Sequence, residues 1–390
     1  MLRVIGRLNM GGPAHQAGFL SGRRFHPERY RTLLVHGSLA PGEASLAAIA
    51  EEEGARMRFL PEMRQSVHPL HDAQALAKLI RVARAFRPDV VHTHTAKAGF
   101  LGRQAALAVR PRPIIVHTYH GHVLEGYFGP AKTRLYLELE RRMARVSDRL
   151  VGISQATVDD LVRLGVAPRE RFRVLPLGLD LDRLAEPVPE LRAEARRELG
   201  VAEDDVLVAF VGRFAPIKRL GLLIEALAVA RASEPRLRLA VVGDGDERAG
   251  LERRAGQLGV AADVRFLGYR RELRPVFAAA DLAVLSSDNE GTPVSLIEAA
   301  AAGLPAVATD VGGVGEVVSH DTGILVPPND PQALANAILT MATDPTRRQK
   351  AGQEARRRAL DRYSAARLIS DVDSLYQELM EARRARGASR

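Results

Sequence analysis

The stretch Ser287-Asp-Asn-Glu-Gly-Thr-Pro-Val-Ser-Leu-Ile-Glu-Ala-Ala-Ala-Ala-Gly303 decides the fold of this chain. The apolar run 282–286 before it predicts a buried strand, and 294–302 within it predicts a helix. Thr292 is a suitable N-cap and Pro293 a suitable first helical residue. A buried apolar strand that turns directly into a helix is typical of a parallel sheet covered by helices.

The same stretch carries two glutamates eight positions apart, Glu290 in the turn and Glu298 in the helix. The free N–H groups and the dipole at a helix start form an anion site. A carboxylate beside such a site is suited to accept hydrogen bonds from sugar hydroxyls. The alternative is an ordinary strand–turn–helix with a solvated glutamate, but Glu298 lies between Ile297 and four alanines.

A second motif, Gly212-Arg-Phe-Ala-Pro-Ile-Lys218, follows the predicted strand 206–211. Arg213 and Lys218 are two cations in one turn, where an arginine fork and a lysine point charge can clamp a diphosphate. The alternative is a pair of surface charges.

Strands and helices alternate along the whole chain, which predicts two doubly wound parallel sheets. The predicted strands of the first half are 2–5, 31–36, 56–60, 89–94, 114–118 and 149–153. Those of the second half are 206–211, 238–242, 264–267, 282–286, 305–309 and 323–326. The expected domains are 1–183 and 184–364, with a linker in the charged, proline-containing stretch 184–197 and a final helix, 365–390, that crosses back to the first domain.

Together the motifs resemble the family 4 retaining glycosyltransferases of the GT-B fold. Their hallmark is a pair of glutamates separated by seven residues, then a Gly-Pro-Val/Ala-Val strand and a Gly-Gly. This chain has Glu290 and Glu298, Gly303-Leu-Pro-Ala-Val307 and Gly312-Gly313. It also has the Gly-Arg…Lys clamp at 212–218, and the resemblance extends over essentially the whole chain. It implies an α/β protein with two Rossmann-like doubly wound domains facing across a deep cleft.

The resemblance implies a nucleotide-diphosphate sugar as donor, most often a UDP-sugar, with no cofactor, no metal and retention of the anomeric configuration. The implied catalytic residues are His120, Glu290, Arg213 and Lys218. Arg213 and Lys218 hold the diphosphate, Glu298 binds the ribose and Glu290 approaches the donor sugar. The remaining implied donor-binding residues are Gly11, Gly12, Gly243, Arg270, Gly291, Thr292, Pro293 and Val294. A glycan, a lipid-linked sugar or a small molecule is the implied acceptor.

In the first half, Gly11-Gly12 lets the backbone approach a ligand or forms a plain turn. No Gly-x-Gly-x-x-Gly occurs there, which disfavours a dehydrogenase. Five histidines crowd two strand ends: His92, His94, His117, His120 and His122. Zinc binding is an alternative for them, but the resemblance selects His120, next to the donor sugar. His122, His94 and Lys97 are weaker candidates on the acceptor side, as is the loop 119–128.

Two short segments, 176–180 and 244–246, need separate consideration. The family commonly has Pro-Asn-Gly-Val-Asp at the hinge, where this chain has Pro176-Leu-Gly-Leu-Asp180, which removes one polar contact. Asp244-Gly-Asp246 superficially matches a metal-binding Asp-x-Asp motif, but turn chemistry after a strand explains it equally well.

The composition narrows the function further. The chain has 390 residues, is 46% hydrophobic and contains no Cys and no Trp, which excludes disulfides, a cysteine nucleophile and tryptophan stacking platforms for nucleic acid. Residues 1–185 carry 28 Lys and Arg against 17 Asp and Glu, a basic half that suits an anionic partner. No apolar run predicts a membrane span or a signal peptide, so a cytoplasmic protein is expected. The basic stretch 132–149 is compatible with peripheral binding at the inner face of the membrane, or is a solvated helix.

Two further functions remain open from the sequence. A sugar-nucleotide 2-epimerase of the GT-B fold would share the donor site and need no acceptor. An anion-binding scaffold would use the basic half alone, although the intact set of candidate catalytic residues disfavours it. Nucleic acid is not expected as a partner, because the basic residues are dispersed.

Overall fold

The computed structural model describes residues 1–9, 12–40, 43, 45–121, 124, 129–186 and 188–388. They form two compact units. The first comprises Met1–Leu179 and Ala365–Arg390, and the second Asp180–Ser364.

The first unit is built on a seven-stranded parallel sheet in the order β3-β2-β1-β4-β5-β6-β7. Its strands are β1 (Leu2–Arg7), β2 (Leu33–Gly37), β3 (Met57–Phe59), β4 (Val90–His94), β5 (Ile114–Tyr119), β6 (Arg149–Gly152) and β7 (Phe172–Val174). Its helices are α1 (Gly12–Phe19), α2 (Ala47–Glu52), α3 (Pro69–Phe86), α4 (Ala96–Leu107), α5 (Pro130–Val146), α6 (Gln155–Arg163) and, from the end of the chain, α15 (Ala365–Ala388). Every residue of β4 and β5 is buried, as expected for central strands covered on both faces.

The second unit repeats the design with a six-stranded parallel sheet in the order β10-β9-β8-β11-β12-β13. Its strands are β8 (Val206–Val211), β9 (Leu237–Val242), β10 (Val264–Gly268), β11 (Leu282–Leu285), β12 (Ala306–Thr309) and β13 (Gly323–Val326). Its helices are α7 (Asp182–Ala185), α8 (Pro189–Leu199), α9 (Leu220–Arg231), α10 (Arg248–Gln257), α11 (Arg274–Ala279), α12 (Val294–Ala301), α13 (Pro331–Thr343) and α14 (Pro345–Tyr363). The two sheets confirm the predicted fold class of two Rossmann-like doubly wound domains.

Helix α15 is part of the first unit, although it is the last element of the chain. Leu368, Val372, Leu375 and Tyr376 are buried in one cluster with Met1 and with side chains of β4, β5 and β6. Arg367 of the same helix donates to the carbonyls of Pro176 and Leu177 at 2.7 and 2.9 Å. The segment that departs from the family's hinge sequence is therefore held by this helix.

The stretch expected to be a linker is instead a helix of the second unit, and this prediction was wrong. Residues 189–199 form α8, and Arg196 of that helix is buried. Arg192 and Arg196 pair with Asp281 at 2.8 and 3.2 Å. The charges that suggested a solvated linker therefore anchor a helix, because they have a shared carboxylate partner. The chain passes between the units at Leu179–Asp180.

Helix α4 also went unpredicted, because its sequence shows little contrast between apolar and polar faces. It is rich in Ala and Gly and packs closely on the sheet. A Cβ added at Gly102 would lie 2.5 Å from Thr93 Cγ2. The small residues thus serve close helix–sheet packing, a pattern that periodicity of hydrophobicity does not reveal.

Candidate active site

Three loops of the second unit meet at the carboxyl ends of neighbouring strands. They follow β8 (residues 212–219), β11 (286–293) and β12 (310–313), which are adjacent in the sheet. Asp288 N donates to Ile217 O at 2.8 Å, and Ser286 Oγ donates to Lys218 O at 2.9 Å. Parallel sheets of this kind bind their ligands at the carboxyl ends of the strands.

The carboxylate of Glu290 is held by two of these loops. Lys218 Nζ forms an ion pair with Glu290 Oε1, and Ser287 Oγ donates to the same oxygen at 2.6 Å. Ser287 is fully buried, and its carbonyl accepts from Thr309 Oγ1 at 2.7 Å. Glu290 and Lys218, both predicted as catalytic, are therefore brought together, with Ser287 as an unpredicted partner.

The backbone of the Glu290 loop rests on the glycine pair after β12. Gly313 N donates to Glu290 O at 2.9 Å. A Cβ on Gly312 would lie 2.0 Å from Glu290 O, and one on Gly313 would lie 1.9 Å from Gly291 O. Gly312 also has a φ of +51°. Only glycine fits here, so the Gly-Gly of the motif has a structural reason in this chain: it supports the loop that presents Glu290.

Arg213 is exposed and makes no hydrogen bond or ion pair with any residue that the structure describes. Its loop is shaped by the backbone of neighbouring Gly212. Gly212 N donates to Val242 O at 3.0 Å. A Cβ on Gly243 would lie 1.9 Å from Gly212 O. The predicted residues Arg213 and Gly243 thus belong to loops in direct backbone contact, and the guanidinium charge is uncompensated.

Glu298 is partly buried, and burial raises the pKa of its carboxyl to about 7. No residue in the described ranges bonds to this carboxylate. In the same region the hydroxyl of Thr292 is buried without a partner among those residues. The structure corrects the expectation that Thr292 caps the helix. Pro293 is the N-cap, its carbonyl accepts from Leu296 N at 3.1 Å, and α12 begins at Val294. Thr292 Oγ1 and the Glu298 carboxylate are therefore both without a bonding partner among the described residues.

The remaining candidates of the second unit lie at the edges of this site. Gly291 is exposed and immediately precedes Thr292. Arg270 is exposed, and its guanidinium contacts Leu267 O at 3.4 Å. Asp244 accepts from Gly245 N at 2.8 Å, so the Asp-Gly-Asp sequence forms a turn. Within the described ranges no three His, Asp or Glu side chains are grouped so as to hold a metal ion.

In the first unit, His120 directly follows β5 and is half-buried. Its Nε2 lies 3.0 Å from His94 Nδ1. Burial lowers the pKa of His120 to about 3. Gly12 opens α1, whereas Gly11, His122 and most of the predicted acceptor loop 119–128 lie outside the described residues. Lys97 is paired with Asp72, so its charge is already balanced.

Two residues that contact these histidines, Arg3 and Tyr376, were not predicted from the sequence. Arg3 is the second residue of β1 and has no exposed surface, and it donates to His92, His94 and Tyr376. An arginine within the apolar run Leu2-Arg-Val-Ile5 was the available signal, because a buried charge requires specific partners. No signal pointed to Tyr376, 373 positions away.

The basic helix α5 offers fewer free cations than its sequence suggests. Arg141 donates to the carbonyls of Leu164 and Gly165, each at 2.9 Å, and Arg142 pairs with Glu138 at 3.1 Å. None of the described helices is long and apolar enough to cross a membrane.

Comparison with known proteins assigns the chain to a family. Residues 192–358 match the sequence profile of the family described as "Glycosyl transferases group 1". Residues 22–183 match that of "Glycosyltransferase Family 4". The chain is 32% identical over 316 residues to a D-inositol 3-phosphate glycosyltransferase of Saccharomonospora viridis, covering 75% of this chain and 71% of that protein. This chain belongs to the family 4 glycosyltransferases.

Further matches agree with that assignment. The glycosyltransferase is 29% identical over 331 residues to the "Putative glycosyltransferase EpsD" of Bacillus subtilis, covering 83% of this chain and 85% of EpsD. Its structure resembles Anabaena Alr3699/HepE, solved in complex with UDP, with a TM-score of 0.83 and 24% identity over 97% of this chain and 99% of that one. The latter likeness shows the GT-B fold. The three loops of the second unit lie inside one matched profile and His120 inside the other, whereas Arg3 and Tyr376 lie outside both.

Proposed function

We propose that this glycosyltransferase moves a sugar from a UDP-sugar to a glycan, lipid-linked or small-molecule acceptor, with retention of the anomeric configuration and without a metal. The observation that carries the proposal is the Lys218–Glu290–Ser287 cluster at the carboxyl ends of β8 and β11, with the unpaired Arg213 in the same loop as Lys218. Two cations and one anchored carboxylate suit a diphosphate linked to a sugar.

The diphosphate would be bound by cations and backbone dipoles. Arg213 has no partner of its own among the described residues, so it can turn its fork to the phosphates without losing a bond. Lys218, which forms an ion pair with Glu290, carries the second positive charge. The start of α12, at Pro293 and Val294, adds oriented N–H groups. These groups would stabilise the charge of the leaving nucleoside diphosphate, the task that a divalent metal performs in other transferases.

The ribose would be bound by Glu298. Its carboxyl is partly buried, has no protein partner in the described chain and has a pKa near 7. Two sugar hydroxyls could satisfy its oxygens and stabilise the ionised form. Thr292 Oγ1, buried and unpartnered, is a further acceptor or donor for the bound nucleotide.

Retention is supported by the way Glu290 is held. Lys218 and Ser287 both contact Oε1, which leaves Oε2 without a partner among the described residues. A carboxylate fixed through one oxygen can bind a hydroxyl of the donor sugar through the other. The acceptor would then attack from the side on which the diphosphate departs, because Arg213 and Lys218 neutralise charge on that side.

UDP is the nucleotide to test first. HepE of Anabaena has been solved with UDP, with UDP and glucose, and with UDP-glucose, and the shared fold supports the same donor class here. A cofactor is not part of the proposal, since the donor itself carries the leaving group.

The test is calorimetric titration of the chain with UDP-, GDP- and ADP-glucose in the presence of EDTA, followed by NMR of the product's anomeric proton. UDP-glucose should bind, and Arg213→Ala and Glu298→Ala should each weaken binding by about tenfold or more. Arg347→Ala, an exposed arginine on α14, is the matched control and should bind normally. Inverted product, or binding that requires a metal, would contradict the proposal.

A further inference from the structure

Arg3 is the centre of a buried hydrogen-bond network in the first unit. Its Nη1 donates to His92 Nδ1 at 3.1 Å and to His94 Nε2 at 3.2 Å. Its Nη2 donates to Leu20 O at 3.0 Å and to Tyr376 Oη at 3.3 Å. Arg3 is fully buried and forms no ion pair with a described acidic residue. Its charge is therefore solvated by neutral acceptors alone.

This network has a direction, because a guanidinium has N–H donors and no acceptor. His94 Nε2 must accept from Arg3, so a neutral His94 carries its proton on Nδ1. His94 Nδ1 lies 3.0 Å from His120 Nε2 and therefore donates to it. His120 Nε2 is then an acceptor, and the proton of a neutral His120 lies on Nδ1.

We propose that Arg3, acting through His94, holds His120 as the neutral tautomer protonated on Nδ1, so that His120 donates a hydrogen bond to a sugar oxygen and does not act as a general base. Arg3 and His94 are positioning residues in this scheme. The inference deepens the proposed function and rests on it for the ligand. The tautomer of His120 follows from the hydrogen bonds alone and is independent of the proposed function.

The neutral state of the histidines is consistent with their surroundings. Burial, and secondarily the charge of Arg3, lower the pKa of His92 well below its usual value. Burial and the neighbouring His92, His120, Arg3 and His117 do the same for the pKa of His94. A second positive charge beside a buried Arg3 would have no counter-ion among the described residues, so protonation is unfavourable.

The branch through His92 provides an internal control. Tyr376 Oη and Arg3 Nη1 both donate to His92 Nδ1, the former at 2.5 Å. His92 Nε2 then donates to Thr118 Oγ1 at 2.7 Å. This branch ends at Thr118, so it orders His92 without contacting His120. Removing the Tyr376 hydroxyl should disturb the network and leave the His120 tautomer unchanged.

The tautomer can be observed directly by long-range ¹H–¹⁵N correlation spectra of the full chain labelled at histidine, with His120 assigned from a His120→Gln variant. In the wild type we expect the proton on Nδ1. Arg3→Met should give a mixture of tautomers, and Tyr376→Phe should give the wild-type pattern. A proton on Nε2 in the wild type, a doubly protonated ring at neutral pH, or a folded Arg3→Met with an unchanged pattern would overturn the proposal.

A second pair of variants covers the case in which Arg3→Met does not fold. His94→Phe removes the donor to His120, and His94→Gln restores one, because its amide can accept from Arg3 and donate onward. We expect the Nδ1-protonated tautomer to be lost in the first and recovered in the second. Failure of His94→Gln to restore it, with both variants folded, would overturn the relay.

Measurements of kcat distinguish a failure of the positioning role from a failure of the proposed function. With UDP-glucose, His94→Phe should lower kcat about tenfold and leave UDP affinity unchanged, with His94→Gln recovering most of kcat. Equal losses in both variants would overturn the positioning role. A wild-type enzyme that transfers no sugar would contradict the proposed function, whereas the tautomer spectra would still decide the relay.

Discussion

Lys218 and Glu290 form an ion pair across 72 positions of sequence, joining the loop after β8 to the loop after β11. The contact exists because the two strands are neighbours in the sheet and both loops leave its carboxyl edge. In the proposed function, the lysine that binds a phosphate is thus kept in place by the carboxylate that faces the sugar. If Lys218 binds the diphosphate as proposed, its charge is shared between Glu290 and the phosphates, so we expect donor binding to affect the position of Glu290.

Removing the charge of Glu290 should separate chemistry from binding. Glu290→Gln keeps the shape of the side chain and its bond from Ser287, and it frees Lys218 for the phosphates. We expect kcat to fall about a hundredfold or more while UDP affinity stays the same or rises. Initial rates and calorimetry measure the two effects. Asp288→Asn, which alters a neighbouring carboxylate paired with Arg219 at 3.6 Å, is the control, and an equal loss of kcat there would count against a special role for Glu290.

Gly313→Ala should damage the site through its backbone. The new Cβ would lie 1.9 Å from Gly291 O, so the Glu290 loop must shift. We expect a loss of about 1–3 kcal/mol in the free energy of unfolding and a fall in kcat. Gly256→Ala on α10, where a Cβ meets nothing within 4 Å, should lower neither the free energy of unfolding nor kcat. Chemical denaturation and initial rates test both variants, and an unchanged Gly313→Ala enzyme would show that the loop does not rest on this glycine.

Glu298 should make donor affinity depend on pH. Its folded pKa, about 7, is raised from an ordinary 4.5, so the folded chain binds the proton more tightly than the unfolded chain does. This contribution to stability is present below pH 4.5 and is lost as pH rises through 7. Ribose hydroxyls favour the ionised carboxylate, so UDP affinity should increase from pH 6 to pH 8.

Calorimetry across that pH range measures the effect. Glu298→Gln is the control for the titration of UDP itself: the part of the pH dependence that disappears in this variant belongs to the carboxyl. We also expect Glu298→Gln to raise Tm relative to the wild type above pH 7. An identical pH profile in both proteins would show that Glu298 does not bind the donor in its ionised form.

Stability of the first unit should depend on the buried ion pair between Arg103 and Glu140. Arg103 has no exposed surface and binds both oxygens of Glu140, at 3.1 and 2.9 Å. Tyr119 Oη donates to the same carboxylate at 2.9 Å. Arg103→Met leaves the carboxylate buried without its cation and should cost about 3–5 kcal/mol in the free energy of unfolding.

The double variant Arg103→Met, Glu140→Leu should recover most of that loss, because no uncompensated charge remains. Urea denaturation of the wild type, the single variant and the double variant measures the three free energies of unfolding. If the single and double variants are equally unstable, packing of the arginine stem accounts for the loss and the ion pair does not.

The parts of the site that sequence analysis identified are those determined locally. Glu290 and Glu298 lie on one strand–turn–helix segment, and Arg213 and Lys218 lie in one turn after a strand, so periodicity and spacing suffice to place them. Residues 189–199 show where this reasoning fails. The charged stretch 184–197 predicts a domain linker, yet Arg192 and Arg196 within it pair with Asp281, far along the chain, and residues 189–199 form a helix of the second unit. A local sequence pattern does not indicate which distant residue will pair with a charge, so a charged stretch is expected to be exposed to water.

The amino-acid sequence by itself determined the alternation of strands and helices, the parallel sheets and the residue types presented at the strand ends, because these depend on interactions within a few residues. Tertiary structure alone decided that Lys218 contacts Glu290, that the carbonyls of Glu290 and Gly291 leave no room for a Cβ at Gly312 and Gly313, and that Arg3 meets two histidines and Tyr376. For the two glycines the physical reason is steric, because the backbone of another loop fills the space of a Cβ. For the side chains it is polar pairing. A buried polar group is stable only with a partner of the right donor or acceptor character, and here that partner comes from a distant part of the chain.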